Sequence, residues 1–237
     1  MIDHNEIAKF SVSCYKSMHL QSIYKKLVQS VQYVYAAGVE GDIAEFGTMK
    51  GRTAVAISVA VKLGNLEYSS RPSESRGNKK AWFFDSFEGL PEARFKVDQD
   101  APHVKDGIWA KGTCKGLNEE QFEKLIGQIL PNEQFEVRKG FFNETVKLIE
   151  ETQKFSFLHI DSDLYESAID IFNSLLSRKM VASGAIILFD DWDCNHANPN
   201  LGERRAWSEM VRKYNISFSD NGHYSHMCKS FIIHSYG

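Results

Sequence analysis

Short apolar segments alternate with amphipathic segments along most of the chain, from residue 41 onward. The apolar segments predict strands, and the segments with apolar residues three or four positions apart predict helices. This alternation is typical of an α/β fold with a doubly wound, mostly parallel sheet, here of seven strands. The predicted strands are 42–46, 81–84, 135–139, 155–160 and 185–189, with a closing pair of edge strands at 216–219 and 229–234. The predicted helices between and after them are 53–63, 145–152, 165–178 and 204–214.

The chain begins with a segment of a different kind. Residues 1–40 carry apolar side chains at nearly helical spacing, which predicts a helical cap ahead of a domain that spans residues 41–237. The cap could cover a substrate site or pair with another subunit, and the pattern leaves both open. Its apolar positions are Ile7, Phe10, Val12 and Tyr15, then Ile23, Leu27, Val31, Val34 and Tyr35.

Two segments of the domain predict loops. Residues 67–80 are polar and rich in serine, arginine and glycine, which indicates a mobile surface excursion. Residues 91–117 contain prolines and glycines without clear periodicity. A loop of this length in a compact domain is often an active-site lid, although a variable insertion would have the same pattern.

The composition limits the kinds of partner. A net charge of −3 gives no electrostatic reason to expect nucleic acid or an anionic membrane surface. No apolar run approaches the ~20 residues needed to cross a bilayer. The first residues lack the basic start and apolar core of a signal peptide, so the cytoplasm is the expected location. The four cysteines are scattered without C-x-x-C spacing, which fits reduced thiols.

A glycine-bearing turn follows the first predicted strand. Residues 45–53 read EFGTMKGRT, in which Gly47 and Gly51 let the backbone pass close to a ligand, although a turn that only packs could also contain two glycines. Asp85 ends the second predicted strand, where a carboxylate can accept hydrogen bonds from both hydroxyls of a ribose. Together these two features favour a cofactor that contains adenosine.

The spacing of the glycines narrows the choice of cofactor. Dinucleotide-binding turns have the pattern G-x-G-x-x-G, which lets a pyrophosphate approach the backbone. Thr48 and Met49 follow Gly47 here, so that pattern is absent, and a nucleotide-sugar oxidoreductase is disfavoured. The open turn beside the acidic Glu45 suits a cofactor that has no phosphates and a cationic amino-acid end.

Carboxylates gather after the fourth and fifth predicted strands. Asp161 directly follows one apolar strand, and Asp190 and Asp191 follow the next. Because neighbouring parallel strands end at the same edge of a sheet, we expect these side chains to lie close together. Such carboxylates repel one another unless they are protonated or neutralised by a cation, and Mg²⁺, which prefers oxygen ligands, is the economical solution. Glu166 and Asp193 are interpreted instead as solvated loop charges or helix caps.

These motifs resemble those of the macrocin O-methyltransferase (TylF-type) family of class I methyltransferases. The resemblance covers roughly residues 41–212, and its most specific element is D-x-D-L-Y-E-S. It implies a Rossmann-like fold, S-adenosylmethionine as methyl donor, Mg²⁺, and a sugar hydroxyl of a glycosylated natural product as acceptor. The matching segments are GDIAEFGTMKGRTA, WFFDSFEGLP, RKGFFNETV, FLHIDSDLYESAIDIF, GAIILFDDWD and GERRAWSEM.

The resemblance also implies roles for individual residues. Metal ligands would be Asp161, Asp190 and Asp191, with Asp161 also near the cofactor, and Asp163 would be the general base. The cofactor's methionine end would lie against Glu45, Gly47, Thr48 and Gly51, its ribose against Asp85, and its adenine region against Ser86, Phe87, Gly140 and Phe141. His103 and His196 are weaker candidates, because a lone loop histidine is more often a surface residue.

Other functions remain to be weighed against methyl transfer. A metal-dependent phosphoester hydrolase would use the same aspartates but leaves the glycine turn and Asp85 unexplained. A catalytically silent module that binds S-adenosylmethionine has no need for a costly carboxylate cluster. The expected partners are a small sugar or glycoside acceptor and, through the N-terminal helices, a second copy of the chain. Neither nucleic acid nor membrane is expected.

Overall fold

A computed structural model of the chain describes residues 4–68 and 77–237, with side chains from residue 20 onward. The side chains of the first four apolar positions of the predicted cap, and residues 69–76 of the predicted excursion at 67–80, fall outside these described parts. Within the described residues, no helix combines the length and apolar composition that a membrane span would require.

In the described parts of the chain, seven strands form one sheet in the order β3-β2-β1-β4-β5-β7-β6. Strand β7 runs antiparallel to its neighbours β5 and β6, whereas the other neighbouring strands pair in parallel. The predicted α/β fold with a doubly wound, mostly parallel sheet is therefore confirmed. The strands are β1 Asp42–Phe46, β2 Ala81–Asp85, β3 Phe135–Lys139, β4 Phe155–Ile160, β5 Val181–Phe189, β6 Ser217–His223 and β7 Lys229–Ser235.

Helices cover both faces of the sheet. The apolar side chains of β1 and β2 alternate between two cores, with Ile43 and Phe83 in one and Phe46 and Phe84 in the other. The helices are α1 His4–Ala36, α2 Arg52–Tyr68, α3 Lys96–Gln99, α4 Pro102–Lys105, α5 Glu119–Gly127, α6 Phe142–Thr145, α7 Tyr165–Ser177 and α8 Gly202–Lys213.

The N-terminal segment forms one helix, α1, of 33 residues. Leu27, Val31 and Val34 recur at helical spacing and are fully buried, and they belong to the same core as α2 and α5. Tyr35 OH donates a hydrogen bond of 2.5 Å to Asn65 Oδ1 on α2. The C-terminal half of α1 is thus part of the main core.

The predicted helix at 145–152 is wrong. Helix α6 ends at Thr145, one 3₁₀ turn covers Val146–Leu148, and the backbone at Ile149 is extended. The guanidinium of Arg178 donates hydrogen bonds to the carbonyl oxygens of Val146 and Ile149, at 2.6 and 2.8 Å. Further helical turns would have used these carbonyl oxygens as acceptors. Arg178, 29 or more positions away along the chain, occupies them instead, so the helix does not continue.

Helix α5 was not predicted, although its sequence contains a start signal. Asn118 accepts a hydrogen bond from the backbone N–H of Gln121, whose side chain accepts one from the backbone of Asn118. Phe122 and Ile126 are buried four residues apart against the sheet. Strand β5 also begins four residues earlier than predicted, at Val181.

Candidate active site

A cavity of about 250 Å³ opens where β1, β2, β3, β4 and β5 end. Ligands of open parallel sheets bind at this edge. Most of the predicted site residues border it. Its lining includes Gly47, Thr48, Asp85, Ser86, Gly140, Phe141, Asp161, Asp163 and Asp190.

The turn after β1 packs directly against the loop after β4. Gly47 has a φ of +91°, and a Cβ at this position would lie 1.9 Å from the carbonyl oxygen of Asp161. Only glycine fits both constraints. The requirement for Gly47 therefore comes from its backbone conformation and from the close approach of the two loops.

Asp85 holds the glycine turn in place. Its Oδ2 accepts hydrogen bonds from Thr48 N, Thr48 Oγ1 and Met49 N, at 2.7, 2.9 and 3.1 Å. Its Oδ1 accepts one from Phe87 N at 2.7 Å. The carboxylate thus fixes the end of β2 against the turn after β1, and it faces the cavity.

Three residues predicted to bind the cofactor do not line the cavity. Phe87 is buried against Phe122 of α5, with ring centroids 5.7 Å apart. Gly51 faces the same helix, where an added Cβ would lie 2.8 Å from Leu125 Cδ2. Glu45 is fully buried inside the sheet. These residues stand behind the cavity wall in the structure.

Glu45 belongs to a buried chain of charged groups that the sequence analysis missed. His159 Nδ1 lies 2.9 Å from Glu45 Oε1, and its Nε2 lies 3.9 Å from Asp190 Oδ1. Burial opposes the charged imidazolium, but hydrogen bonding and the charges of Asp190 and Glu45 prevail and raise the pKa of His159 to about 10. A histidine inside a mainly apolar strand was the signal that could have identified it.

The acidic groups converge as predicted, but in a different combination. One carboxylate oxygen from each of Asp161, Asp163 and Asp191 lies within 4.8 Å of the others. Asp190 is outside this set, and its Oδ1 accepts a hydrogen bond from the thiol of Cys228 at 3.3 Å. Asp163 adopts a φ of +60°, a left-handed conformation that aspartate tolerates better than most residues. We call Asp161, Asp163 and Asp191 the aspartate trio.

The electrostatics of the aspartate trio are unfavourable without a cation. Burial, and then the charges of neighbouring aspartates, raise the pKa of Asp161 and of Asp163 well above the usual range. Burial and the charge of Asp190 raise the pKa of Asp191 to about 7. Its Oδ2 is buried and has no hydrogen-bond partner among the described residues. Three carboxylates arranged in this way could hold a divalent cation.

A second missed residue, Glu203, joins the loops that carry the trio. Its Oε1 accepts hydrogen bonds from Ser162 N and Ser162 Oγ, both at 3.2 Å, and its Oε2 accepts one from Asp191 N at 3.1 Å. The side chain is fully buried in the first turn of α8. An acidic residue at a helix start is common, so no specific signal for this role is present in the sequence.

The segment predicted as a lid, 91–117, is attached to α7 by two buried carboxylates. Asp98 accepts hydrogen bonds from Tyr165 N at 2.8 Å and Glu166 N at 3.0 Å, which caps the start of α7. Glu166 in turn accepts from Arg94 N at 3.1 Å and Phe95 N at 3.3 Å, which caps the start of α3. The sequence analysis interpreted Glu166 as a solvated loop charge or a helix cap. Glu166 is buried and caps a helix, so only the second interpretation fits.

The same segment also contacts the loop after β5. His103 N donates to Asn195 Oδ1 at 3.1 Å, and the His103 ring stacks on Trp109 with centroids 4.6 Å apart. His196, the other histidine candidate, has a φ of +59° and does not line the cavity. His103 thus helps to position the lid segment.

Asp193, which was interpreted as a solvated loop charge or a helix cap, forms an ion pair of 3.0 Å with Arg204.

The strand order, the single antiparallel strand β7, and the glycine turn and Asp85 at the ends of β1 and β2 define a Rossmann-like fold of the class I methyltransferase type. The sequence model of the macrocin O-methyltransferase family (TylF) matches residues 13–216, so the chain belongs to this family. Both the predicted fold type and the predicted family are confirmed.

Individual proteins with similar sequence or structure agree with this assignment. The chain is 27% identical over 169 residues to the 8-demethyl-8-(2,3-dimethoxy-alpha-L-rhamnosyl)-tetracenomycin-C 4'-O-methyltransferase of Streptomyces olivaceus; the alignment covers 68% of the chain and 57% of that relative's length. The O-methyltransferase NovP has a similar fold, with a TM-score of 0.68, 21% identity and coverage of 90% and 80% of the two chains. The calicheamicin methyltransferase CalS11 gives a TM-score of 0.64 at 19% identity, with coverage of 92% and 79%.

Proposed function

We propose that the protein is a Mg²⁺-dependent O-methyltransferase that transfers a methyl group from S-adenosylmethionine to a hydroxyl of a sugar in a glycoside or saccharide. The aspartate trio beside the cavity at the ends of the parallel strands carries this proposal. Family membership supports O-methylation. The name of the Streptomyces relative, which describes methylation of a rhamnosyl group, supports a sugar acceptor.

The methyl donor would lie between the Gly47 turn and the residues that follow β2 and β3. Asp85 Oδ1 accepts from Phe87 N, and a carboxylate oxygen can accept a second donor such as a ribose hydroxyl. Ser86, Gly140 and Phe141 border the same space and would contact the adenosine.

Glu45 would act at the cationic amino-acid end of the donor. Its Oε2 is buried and has no hydrogen-bond partner in the described parts of the chain. A buried, unpaired carboxylate oxygen is costly, and a donor ammonium group could satisfy it. Because Glu45 lies behind the cavity wall, this role requires the Gly47 turn to adjust when the donor binds.

The residues present also fit a divalent cation. Asp161, Asp190 and Asp191 are the proposed ligands, and the unpartnered Asp191 Oδ2 is an oxygen that a cation would satisfy. When bound, Mg²⁺ would neutralise part of the buried negative charge and lower the pKa of an acceptor hydroxyl.

Asp163 is the proposed general base. Its carboxylate borders the cavity beside the proposed ligands Asp161 and Asp190, and a carboxylate at this place can accept the proton of an acceptor hydroxyl. The hydroxyl oxygen would form a bond to the methyl carbon as the carbon–sulfur bond breaks, and the hydroxyl proton would pass to Asp163. The donor would leave as a neutral thioether. A positioned base typically contributes ~10²–10⁴-fold, and in-line alignment of oxygen, carbon and sulfur contributes further.

The proposed function is tested first by calorimetric titration with S-adenosylmethionine and, in parallel, with NAD⁺. We expect binding of S-adenosylmethionine at micromolar concentration and no binding of NAD⁺, because the turn lacks the dinucleotide glycines. Methyl transfer to rhamnosyl glycosides is then measured with Mg²⁺ and with chelator. Absence of donor binding to protein that is folded by circular dichroism would contradict the proposal.

A further inference from the structure

Glu203 is a buried carboxylate next to the aspartate trio, and neither the family resemblance nor the proposed reaction provides a role for it. It is fully buried, and among the described residues no lysine or arginine lies within ion-pair distance of it. Burying a carboxylate without a cationic partner is expensive. The hydrogen bonds that Glu203 accepts must therefore have a structural or functional purpose.

Those hydrogen bonds connect the two loops that carry the aspartate trio. Glu203 Oε1 accepts from the backbone N–H and the hydroxyl of Ser162, which lies between Asp161 and Asp163. Oε2 accepts from the backbone N–H of Asp191. One rigid carboxylate thus spans the ends of β4 and β5 and fixes the separation of the loops.

The backbone next to Glu203 is in contact with both loops. Gly202 has a φ of +52°, and a Cβ there would lie 3.4 Å from Asn195 Nδ2 and 3.8 Å from the carbonyl oxygen of Asp163. The first turn of α8 therefore packs on both loops. Glu203 therefore lies where the start of α8 meets both loops.

We propose that Glu203 is a positioning residue for the divalent cation: by holding the Ser162 and Asp191 backbones at a fixed distance, it sets the spacing between the two loops that carry the proposed cation ligands, and thereby the affinity of the site. This inference rests on the proposed function only in that the cation is its ligand. Partners that orient metal ligands typically change metal affinity by ~10–100-fold when they are replaced.

The test measures Mn²⁺, a spectroscopic substitute for Mg²⁺, by the electron paramagnetic resonance of the free ion during titration of the protein alone. Glu203→Gln keeps the shape of the side chain but turns one acceptor into a donor that faces a backbone N–H. We expect its Kd for Mn²⁺ to rise at least about 10-fold. Glu209→Gln is the matched control, because Glu209 lies on the same helix, pairs with Arg205 and is partly exposed; its Kd should stay at the wild-type value.

Ser162→Ala keeps the test decisive if Glu203→Gln does not fold. It removes only the hydrogen bond that the Ser162 hydroxyl donates to Glu203. We expect a Kd about 2–5-fold above wild type, since the backbone hydrogen bonds to Glu203 remain. A wild-type Kd in both variants, or in Ser162→Ala if only that variant folds, would overturn the role of Glu203. Failure of the wild-type protein itself to bind Mn²⁺ would instead contradict the metal dependence in the proposed function.

Discussion

The sequence and the geometry indicate different roles for Asp163 and Asp190. The family motif assigns Asp190 to the cation and Asp163 to the proton, whereas the geometry groups Asp163 with Asp161 and Asp191. The two carboxylates border the same cavity, and Asp190 additionally contacts Cys228 and lies near His159. Substitution of each residue in turn can separate cation binding from proton transfer.

We expect Asp163→Asn to lower kcat by ~10²–10⁴-fold, because an amide cannot accept the proton, while the Kd for Mn²⁺ changes less than about 3-fold. Asp190→Asn should do the reverse and raise the Kd for Mn²⁺ at least about 10-fold, because a charged oxygen ligand is lost. The measurements are single-turnover methyl transfer and Mn²⁺ titration of the same preparations. If Asp163→Asn abolishes Mn²⁺ binding, Asp163 is a ligand and the base must be sought elsewhere.

The sequence located most of the candidate site because its residues directly follow strands. Asp85, Asp161 and Asp190 could be predicted in this way, since parallel strands bring their carboxyl ends to one edge. The left-handed backbone of Asp163, which groups its carboxylate with the trio, is not encoded in strand position. The partners of Glu203 lie 12 and 41 residues away along the chain, and a single sequence does not reveal a pairing over such distances.

At the scale of elements, two buried carboxylates attach the lid segment to α7, and each of them caps the helix that carries the other. Asp98 caps the start of α7, and Glu166 on α7 caps the start of α3. Asp98 is 1% exposed and Glu166 is 2% exposed, and burial raises the pKa of Asp98 to about 6 despite the two backbone N–H groups that it accepts. The lid and the D-x-D-L-Y-E-S segment are thus mechanically coupled.

Asp98→Asn should release the lid segment from α7. The amide retains one acceptor but presents its NH₂ group to a backbone N–H, at a cost of about 1–3 kcal/mol to the docked state. Hydrogen–deuterium exchange should therefore accelerate across residues 91–117 while the strands of the sheet stay protected. Asp100→Asn is the control, since Asp100 lies in the same segment but is exposed and pairs with Lys96 and Lys105. Equal exchange in wild type and Asp98→Asn would contradict the coupling.

Element prediction succeeded where the pattern was local and failed where a distant side chain decided the outcome. Strands β1, β3 and β4 were predicted with the observed bounds. Their patterns are local: β1 and β4 are short and mainly apolar, and apolar and charged residues alternate at the start of β3. The missing helix after α6 results from Arg178, which binds the carbonyls that the helix would need. The lid lacks periodicity because tertiary contacts with α7 and Asn195, rather than long helices of its own, hold it in place.

At the scale of the whole molecule, the end of the sheet opposite the site contains a buried lysine. Lys79, two residues before β2, is 4% exposed, and its Nζ donates hydrogen bonds to the carbonyl oxygens of Val39 and Gly41, at 2.7 and 2.6 Å. Burial lowers its pKa from 10.5 to about 8, although the charges of Asp42 and Glu40 act in the opposite direction. The Lys79 amine thus holds the segment between α1 and β1 in place, and its pKa is lower in the folded protein than in the unfolded chain.

This lysine should make the free energy of unfolding increase with pH in the alkaline range. Between about pH 8 and 10.5 the unfolded chain holds a proton on Lys79 that the folded protein has already released, so each rise in pH favours the folded state. From pH 7 to pH 10 the contribution should be about 2 kcal/mol, at 1.36 kcal/mol per pKa unit.

Other groups also titrate in this range, so the effect has to be measured as a difference between two proteins. Lys79→Met keeps the length of the side chain and removes its titration. Urea unfolding of both proteins at pH 7, 8.5 and 10 should show wild type gaining stability relative to Lys79→Met as the pH rises. Lys62→Met, on the exposed face of α2, controls for the loss of a lysine charge at the surface. A constant difference between wild type and Lys79→Met from pH 7 to pH 10 would mean that Lys79 stays protonated in the folded protein, and that the carbonyls of Val39 and Gly41 stabilise the ammonium more than burial destabilises it.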